Sequence, residues 1–147
     1  VIQSKLYSYI LVCVQFTCIT LLIFLNPTMF YKPLCLAIFA LGIVMFVYIL
    51  YNVKTLNFNI IPEIKQNATL VTTGVYKYIR HPMYFALFLT MLSPFSANLN
   101  TNNLFLCVVL VLALFLKAKK EEMLWAHKSD SYKKYMQHTK MFLPFIL

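Results

Sequence analysis

Apolar residues fall along the chain in long runs with few interruptions, and the polar positions gather between them. The first run extends from Leu6 to Leu25. That is close to the ~20 residues a helix needs to cross a ~30 Å hydrocarbon core, and Asn26-Pro27 supplies the turn chemistry that ends it. A second run extends from Leu34 to Tyr51. Two shorter runs follow, Met83 to Phe95 and Leu104 to Leu116, joined by the uncharged "SANLNTNN". At ~1.5 Å per residue each covers only about 20 Å, so the pair predicts a short helical hairpin or two spans that recruit the linker. The pattern as a whole predicts an all-α integral membrane protein with about four membrane helices.

Polar sequence occupies two places. Asn52 to His81 is too long for a tight turn and carries Lys54, Glu63, Lys65, Asn67, Lys77 and Arg80. After Leu116 the chain reads "KAKKEEMLWAHKSDSYKKYMQHTKMFLPFIL", a mixture of lysines with Trp125, Tyr132 and Tyr135 that predicts a cytosolic amphipathic helix at the membrane surface. Ser129 and Asp130 are candidates to restart a helix there by capping free N–H groups. The closing "MFLPFIL" is expected to fold back onto the bundle. One domain is expected over residues 1–147, with two spans in 1–51 and the motif loop, hairpin and tail in 52–147.

Composition removes the soluble classes: 61% of residues are hydrophobic and 12% charged, far from a soluble balance. The formal charge of +9 does not point to nucleic acid, because the basic residues flank apolar runs instead of lining a polar face. They read as anchors to the headgroups of membrane lipids. Only Lys32 lies in the loop between the first two runs, whereas the other 12 basic residues lie at the termini and in the Asn52 to His81 stretch. The positive-inside rule therefore predicts a multi-pass protein with both termini and the second loop cytoplasmic, in a bacterial inner membrane or the endoplasmic reticulum. The first run has no small-residue cleavage site and is expected to be a retained span. The four cysteines lie in apolar segments and read as core filler, and the three histidines are too scattered to predict a metal site.

Candidate chemistry concentrates in "GVYKYIRHPMY", residues 74–84, which holds the only arginine. Gly74 marks a turn, and Pro82 fits the first turn of a helix while driving His81 out of helical geometry. Arg80 and His81 would then sit at a helix N-terminus, where free N–H groups favour an anion. Tyr76, Tyr78 and Tyr84 add flat apolar faces with a polar tip. Glu121 and Glu122 lie on the same predicted side, and Lys117 shares a helix face with Glu121.

"TLVTTGVYKYIRHPMY" (69–84), followed by "KAKKEEML" and "SYKKY", resembles the isoprenylcysteine carboxyl methyltransferase and phospholipid methyltransferase superfamily of membrane enzymes. The motif is matched by Gly74, Tyr76, Arg80, His81, Pro82, Tyr84, Glu121, Glu122, Tyr132, Tyr135 and Pro144. The resemblance implies an S-adenosyl-L-methionine-dependent methyltransferase acting on a lipophilic acceptor that enters from the bilayer: an isoprenylcysteine carboxylate, a lipid amine or a small apolar acid or thiol. It implies cofactor contacts from Thr69, Leu70, Val71, Tyr76, His81, Pro82, Met83 and Tyr84. It implies catalytic roles for Arg80, Lys117, Glu121 and Glu122.

The chain departs from the superfamily pattern where Lys117 stands in place of an arginine on the substrate side, since a lysine offers a point charge instead of a bidentate fork. It departs again at Lys128-Ser129 and at Phe142. With two glycines in total, a Rossmann-type nucleotide loop is excluded. Two alternatives stay open. One is an NADPH-dependent sterol-reductase-like enzyme, whose related segment carries asparagine where this chain has Met83. The other is a non-catalytic membrane scaffold.

Overall fold

A computed structural model describes residues 4–53, 59–65 and 67–143. Among these residues five α-helices carry the fold: α1 (Lys5–Leu25), α2 (Pro33–Val53), α3 (Pro82–Ala97), α4 (Thr101–Lys128) and α5 (Asp130–His138). Short 3-10 turns at Pro27–Tyr31 and Gly74–Lys77 supplement them. Among the described residues there is no strand, only an isolated bridge between Ile79 and Lys140. Pro144 lies outside the described residues.

Helix α1 packs on α4, and α2 on α3. The buried positions of α1 are Ser8, Leu11, Gln15, Cys18 and Leu22, spaced alternately three and four apart, which places them in one stripe. Cys18 and Leu22 meet Met91, Leu110 and Leu114 in the central core. The opposite faces are greasy and exposed, as at Phe24, Leu36, Val44, Val47, Tyr48, Tyr51 and Phe105. A contiguous apolar exterior of this kind is what lipid solvates. Helices α1, α2 and α4 are each long and apolar enough to cross a membrane, whereas α3 has 16 residues. The chain is an integral membrane protein with an all-helical fold.

The second arm of the hairpin is longer than the apolar run alone predicts. Helix α4 continues without a break through the charged segment to Lys128, because Lys, Glu and Ala are strong helix formers and nothing in "KAKKEEMLWAHK" breaks the ladder. It ends at Ser129, which also precedes α5, although its hydroxyl makes no capping bond. The end of the bundle remote from the motif is closed by a reciprocal amide pair. Asn26 and Asn103, both 1% exposed, exchange hydrogen bonds at 3.1 and 2.7 Å.

Candidate active site

The motif is positioned by its own turn chemistry and by the tail. Gly74 has φ +62°, a left-handed conformation that glycine adopts without steric cost. Pro82 opens α3, and His81 before it leaves the helical region at φ −123°, ψ 56°. The tail then pairs with the motif. Arg80 N donates to Lys140 O (2.8 Å), His81 N to Met141 O (3.0 Å), and Lys140 N to Tyr78 O (3.0 Å). The tail thus folds back over its described part, where Phe142 lies 5.9 Å from the His81 ring, while residues 144–147 of the closing apolar run lie outside the described residues.

A cavity of about 320 Å³ opens where the motif, α1, α4, α5 and the segments 59–65 and 68–71 converge. That lies within the ~300–1,000 Å³ range of small-molecule sites. Arg80, Lys117, Glu121, Thr69, Leu70, Val71, Tyr76, His81, Met83 and Tyr84 all line it, so ten of the twelve residues singled out from sequence come together. Glu122 and Pro82 are not in the lining. Tyr78 is 53% exposed and outside it as well.

Two glutamates one residue apart take different partners. Glu121 faces the cavity, where its Oε1 accepts a hydrogen bond from the Tyr84 hydroxyl and its Oε2 lies 3.6 Å from His81 Nδ1. Glu122 is turned away and buried, 2.6 Å from Arg80 Nε. Arg80 also donates from Nη1 to Met136 O (3.3 Å) and Thr139 O. This bound guanidinium ties α3's entrance, α4 and α5 into one unit. His81 stacks on Tyr84 with ring centroids 5.5 Å apart. Its Nε2 is 3.5 Å from Glu122 Oε1, within ion-pair range if the ring is protonated, yet the angular geometry makes no hydrogen bond and leaves that atom buried and orphaned. A hydrogen bond needs alignment as well as distance.

The aromatic wall comprises Tyr76, Tyr84, Trp125, Tyr132 and Tyr135. Tyr135 donates its hydroxyl to Tyr76 O, and burial pushes its phenol up to about 12 against the pull of Arg80. Burial, reinforced by the Glu121 carboxylate, pushes Tyr76 higher still. Both phenols therefore stay neutral near pH 7 and act through O–H groups and ring faces.

Sequence reasoning missed the contribution of α1 and of the 59–65 segment. Lys117 and Lys120 are 1% and 0% exposed, which lysines tolerate only when paired. Lys117 Nζ donates to Gln15 Oε1 and to Ile60 O (3.0 Å) and lies 5.1 Å from the Tyr84 ring centroid. Lys120 Nζ donates to Ser4 O, Ser8 Oγ and Glu63 Oε1 (2.7 Å). Burial raises the Glu63 carboxyl, but hydrogen bonds from Lys120 and Ser8 outweigh this and hold it below its ordinary value. The available signal was Ser8 and Gln15, polar residues seven apart inside a membrane run, where polarity marks a functional or pairing role.

The chain belongs to the isoprenylcysteine carboxyl methyltransferase (ICMT) family. The family profile matches residues 34–127, which takes in α2, the motif, α3 and the glutamate-bearing part of α4. Helix α1 and the tail helix lie outside the matched stretch. No curated protein matches the chain. Membership makes this a membrane methyltransferase.

Proposed function

We propose that the cavity binds S-adenosyl-L-methionine and that the chain transfers its methyl group to a lipophilic acceptor reaching the site from the bilayer. The observation that carries this reading is the convergence of Arg80, His81, Tyr84 and Glu121 with the 69–71 segment on a single aromatic-walled cavity. The group fits the residues present. Tyrosine faces attract a sulfonium by cation–π interaction. Arg80 Nη2, unlike Nε and Nη1, has no partner among the described residues, which leaves one guanidinium edge for a ligand carboxylate. The bound group supplies an activated methyl.

The protein's own part is alignment, exclusion of water and handling of the acceptor's proton. Tyr84 and His81 hold the Glu121 carboxylate in place, and Glu121 orients the nucleophile or takes its proton. Glu122 acts through Arg80 as a positioning residue. Pro82 sets the backbone from which His81 and Met83 reach the cavity. The apolar side of the cavity, Phe16, Ile19, Phe46 and Leu87, suits a hydrocarbon tail, and the basic-residue bias supports a cytoplasmic site.

Calorimetric titration of the detergent-purified chain with S-adenosylhomocysteine, with NADPH in parallel, tests the reading. Saturable binding of S-adenosylhomocysteine alone is expected. Arg80→Ala and Tyr84→Ala should each weaken it by about tenfold or more, equivalent to ~1.4 kcal/mol. Unchanged affinity in both variants removes the cofactor assignment.

A further inference from the structure

Lys117 is a buried cation without a counter-ion. It is 1% exposed, and no carboxylate among the described residues lies within ion-pair distance of its Nζ. Lys120, three residues on, has the Glu63 carboxylate at 2.7 Å. A desolvated charge with no opposite charge is costly, and an anion entering the cavity that Lys117 lines would remove that cost. Its hydrogen bonds leave room for one. Nζ donates to Gln15 Oε1 and Ile60 O, and an ammonium has three donors. The third N–H has no acceptor among the described residues and stays at the cavity, beside the face of the Tyr84 ring.

Gln15, on a helix outside the family-matched stretch, adds a second donor group. Its Oε1 is taken by Lys117, so the same amide carries its two N–H donors next to that ammonium. Gln15 Nε2 donates to nothing among the described residues, yet it is not sealed off without a partner as His81 Nε2 is. It is therefore open to the cavity, which Gln15 lines. Ammonium and amide together present a charged and a neutral N–H side by side, as two prongs of a guanidinium do on one residue. Their place in the cavity is on its apolar side. Gln15 precedes Phe16 and shares a helix face with Ile19, and both of these line the cavity. Arg80 is held on the tail side by Glu122, Met136 O and Thr139 O.

We propose that Gln15 is a specificity-determining residue, whose amide N–H and the third N–H of Lys117 form a composite fork for two oxygens of one anionic group on the amphiphile that enters the cavity. This rests on the methyltransferase reading above. The fork holds the anion at the inner end of the apolar side, and the chain it carries lies along Phe16 and Ile19. The two oxygens belong to a carboxylate or to a phosphate, and the fork acts in the same way whichever atom of that molecule takes the methyl group.

Octyl phosphate, octanoate and 1-octanol share a chain and differ only in the head. Each is titrated calorimetrically into the full chain saturated with S-adenosylhomocysteine in a neutral detergent. At least one of the two anions is expected to bind about tenfold or more tightly than 1-octanol, and the tighter one names the headgroup. Gln15→Met should weaken that anion by about tenfold while 1-octanol and S-adenosylhomocysteine bind as before. Adding Lys117→Arg to Gln15→Met puts both prongs on one residue and should restore the anion, which a Gln15 that merely props Lys117 would not allow. Gln15→Glu keeps Lys117 partnered but supplies a counter-charge, and should erase the preference for anions. The inference is overturned, with the cofactor reading left standing, if 1-octanol matches both anions in the wild-type chain, if the preference survives Gln15→Glu, or if arginine fails to restore it in a chain that still binds S-adenosylhomocysteine. Loss of S-adenosylhomocysteine affinity in Gln15→Met together with the anion's would assign the fork to the cofactor and overturn it as well. A folded wild-type chain that does not bind S-adenosylhomocysteine overturns both readings.

Discussion

At the residue scale, the buried lysines of α4 show how one charge organises an irregular segment. Residues 59–65 form no regular element, so side chains must hold them. Lys117 grips Ile60 O, Lys120 grips the Glu63 carboxylate, and Lys128 reaches Lys65 O at 3.1 Å. The Glu63 carboxyl is depressed on folding, so the folded state binds fewer protons there than the unfolded chain. Its contribution is complete above the ordinary value of 4.5 and is lost as pH falls through the lower folded value. Glu63→Gln should therefore flatten the acid limb of the thermal stability profile. At pH 7 it should cost roughly 1–3 kcal/mol, since Lys120 keeps Ser4 and Ser8 but loses its counter-charge. Differential scanning fluorimetry of the two proteins between pH 3.5 and 7.5 reads both effects. A parallel pair of curves would remove Glu63 from the account.

At the element scale, the site depends on how closely α2 and α3 approach. Gly42 is one of two glycines in the chain, and a Cβ built there would fall 2.7 Å from both N and Cα of Thr90. Backbone cannot yield as a side-chain tip can, so Gly42→Ala must push the helices apart. An overpacking cost of roughly 1–3 kcal/mol is expected, measured as a lower Tm in detergent. Because α3 begins at the motif, S-adenosylhomocysteine affinity should fall with it. The helices themselves were legible in the sequence: the runs from Leu6, Leu34, Met83 and Leu104 each became a helix. Their ends were less so, because hydropathy ends where charge begins, whereas a helix ends where its hydrogen-bond ladder is broken. That is why α4 runs on to Lys128. The motif residues were legible too, since local turn chemistry and motif order carry them. Gln15, Ser8 and Lys120 were not, because their roles exist only once α1 packs on α4, a contact between residues 102 to 116 positions apart.

At the scale of the whole molecule, the two ends of the bundle differ in kind. One end carries the cavity, the tail helix and most of the described lysines, while the other is closed by the Asn26–Asn103 pair and by Lys32, whose Nζ donates to Ala97 O. Helix α1, with 21 residues, separates them by about 30 Å at ~1.5 Å per residue, one hydrocarbon thickness. By the positive-inside rule, a single lysine in the loop between the first two spans against 12 other basic residues in the sequence predicts that the cavity faces the cytoplasm. That side also holds the soluble methyl donor, while the apolar face of the cavity stays in reach of acceptors dissolved in the bilayer. With Cys13, Cys18, Cys35 and Cys107 replaced by alanine, Lys32→Cys and Lys133→Cys should react with a membrane-impermeant maleimide from opposite sides. In intact cells only the first should be labelled, and in inverted vesicles only the second. Labelling of both from one side would mean that an even number of crossings lies between them, against the three expected if α2, α3 and α4 each cross, and the proposed placement of the site would fall with it. Labelling in the reverse order would keep the bundle and turn the cavity outward, away from any cytoplasmic supply of the methyl donor.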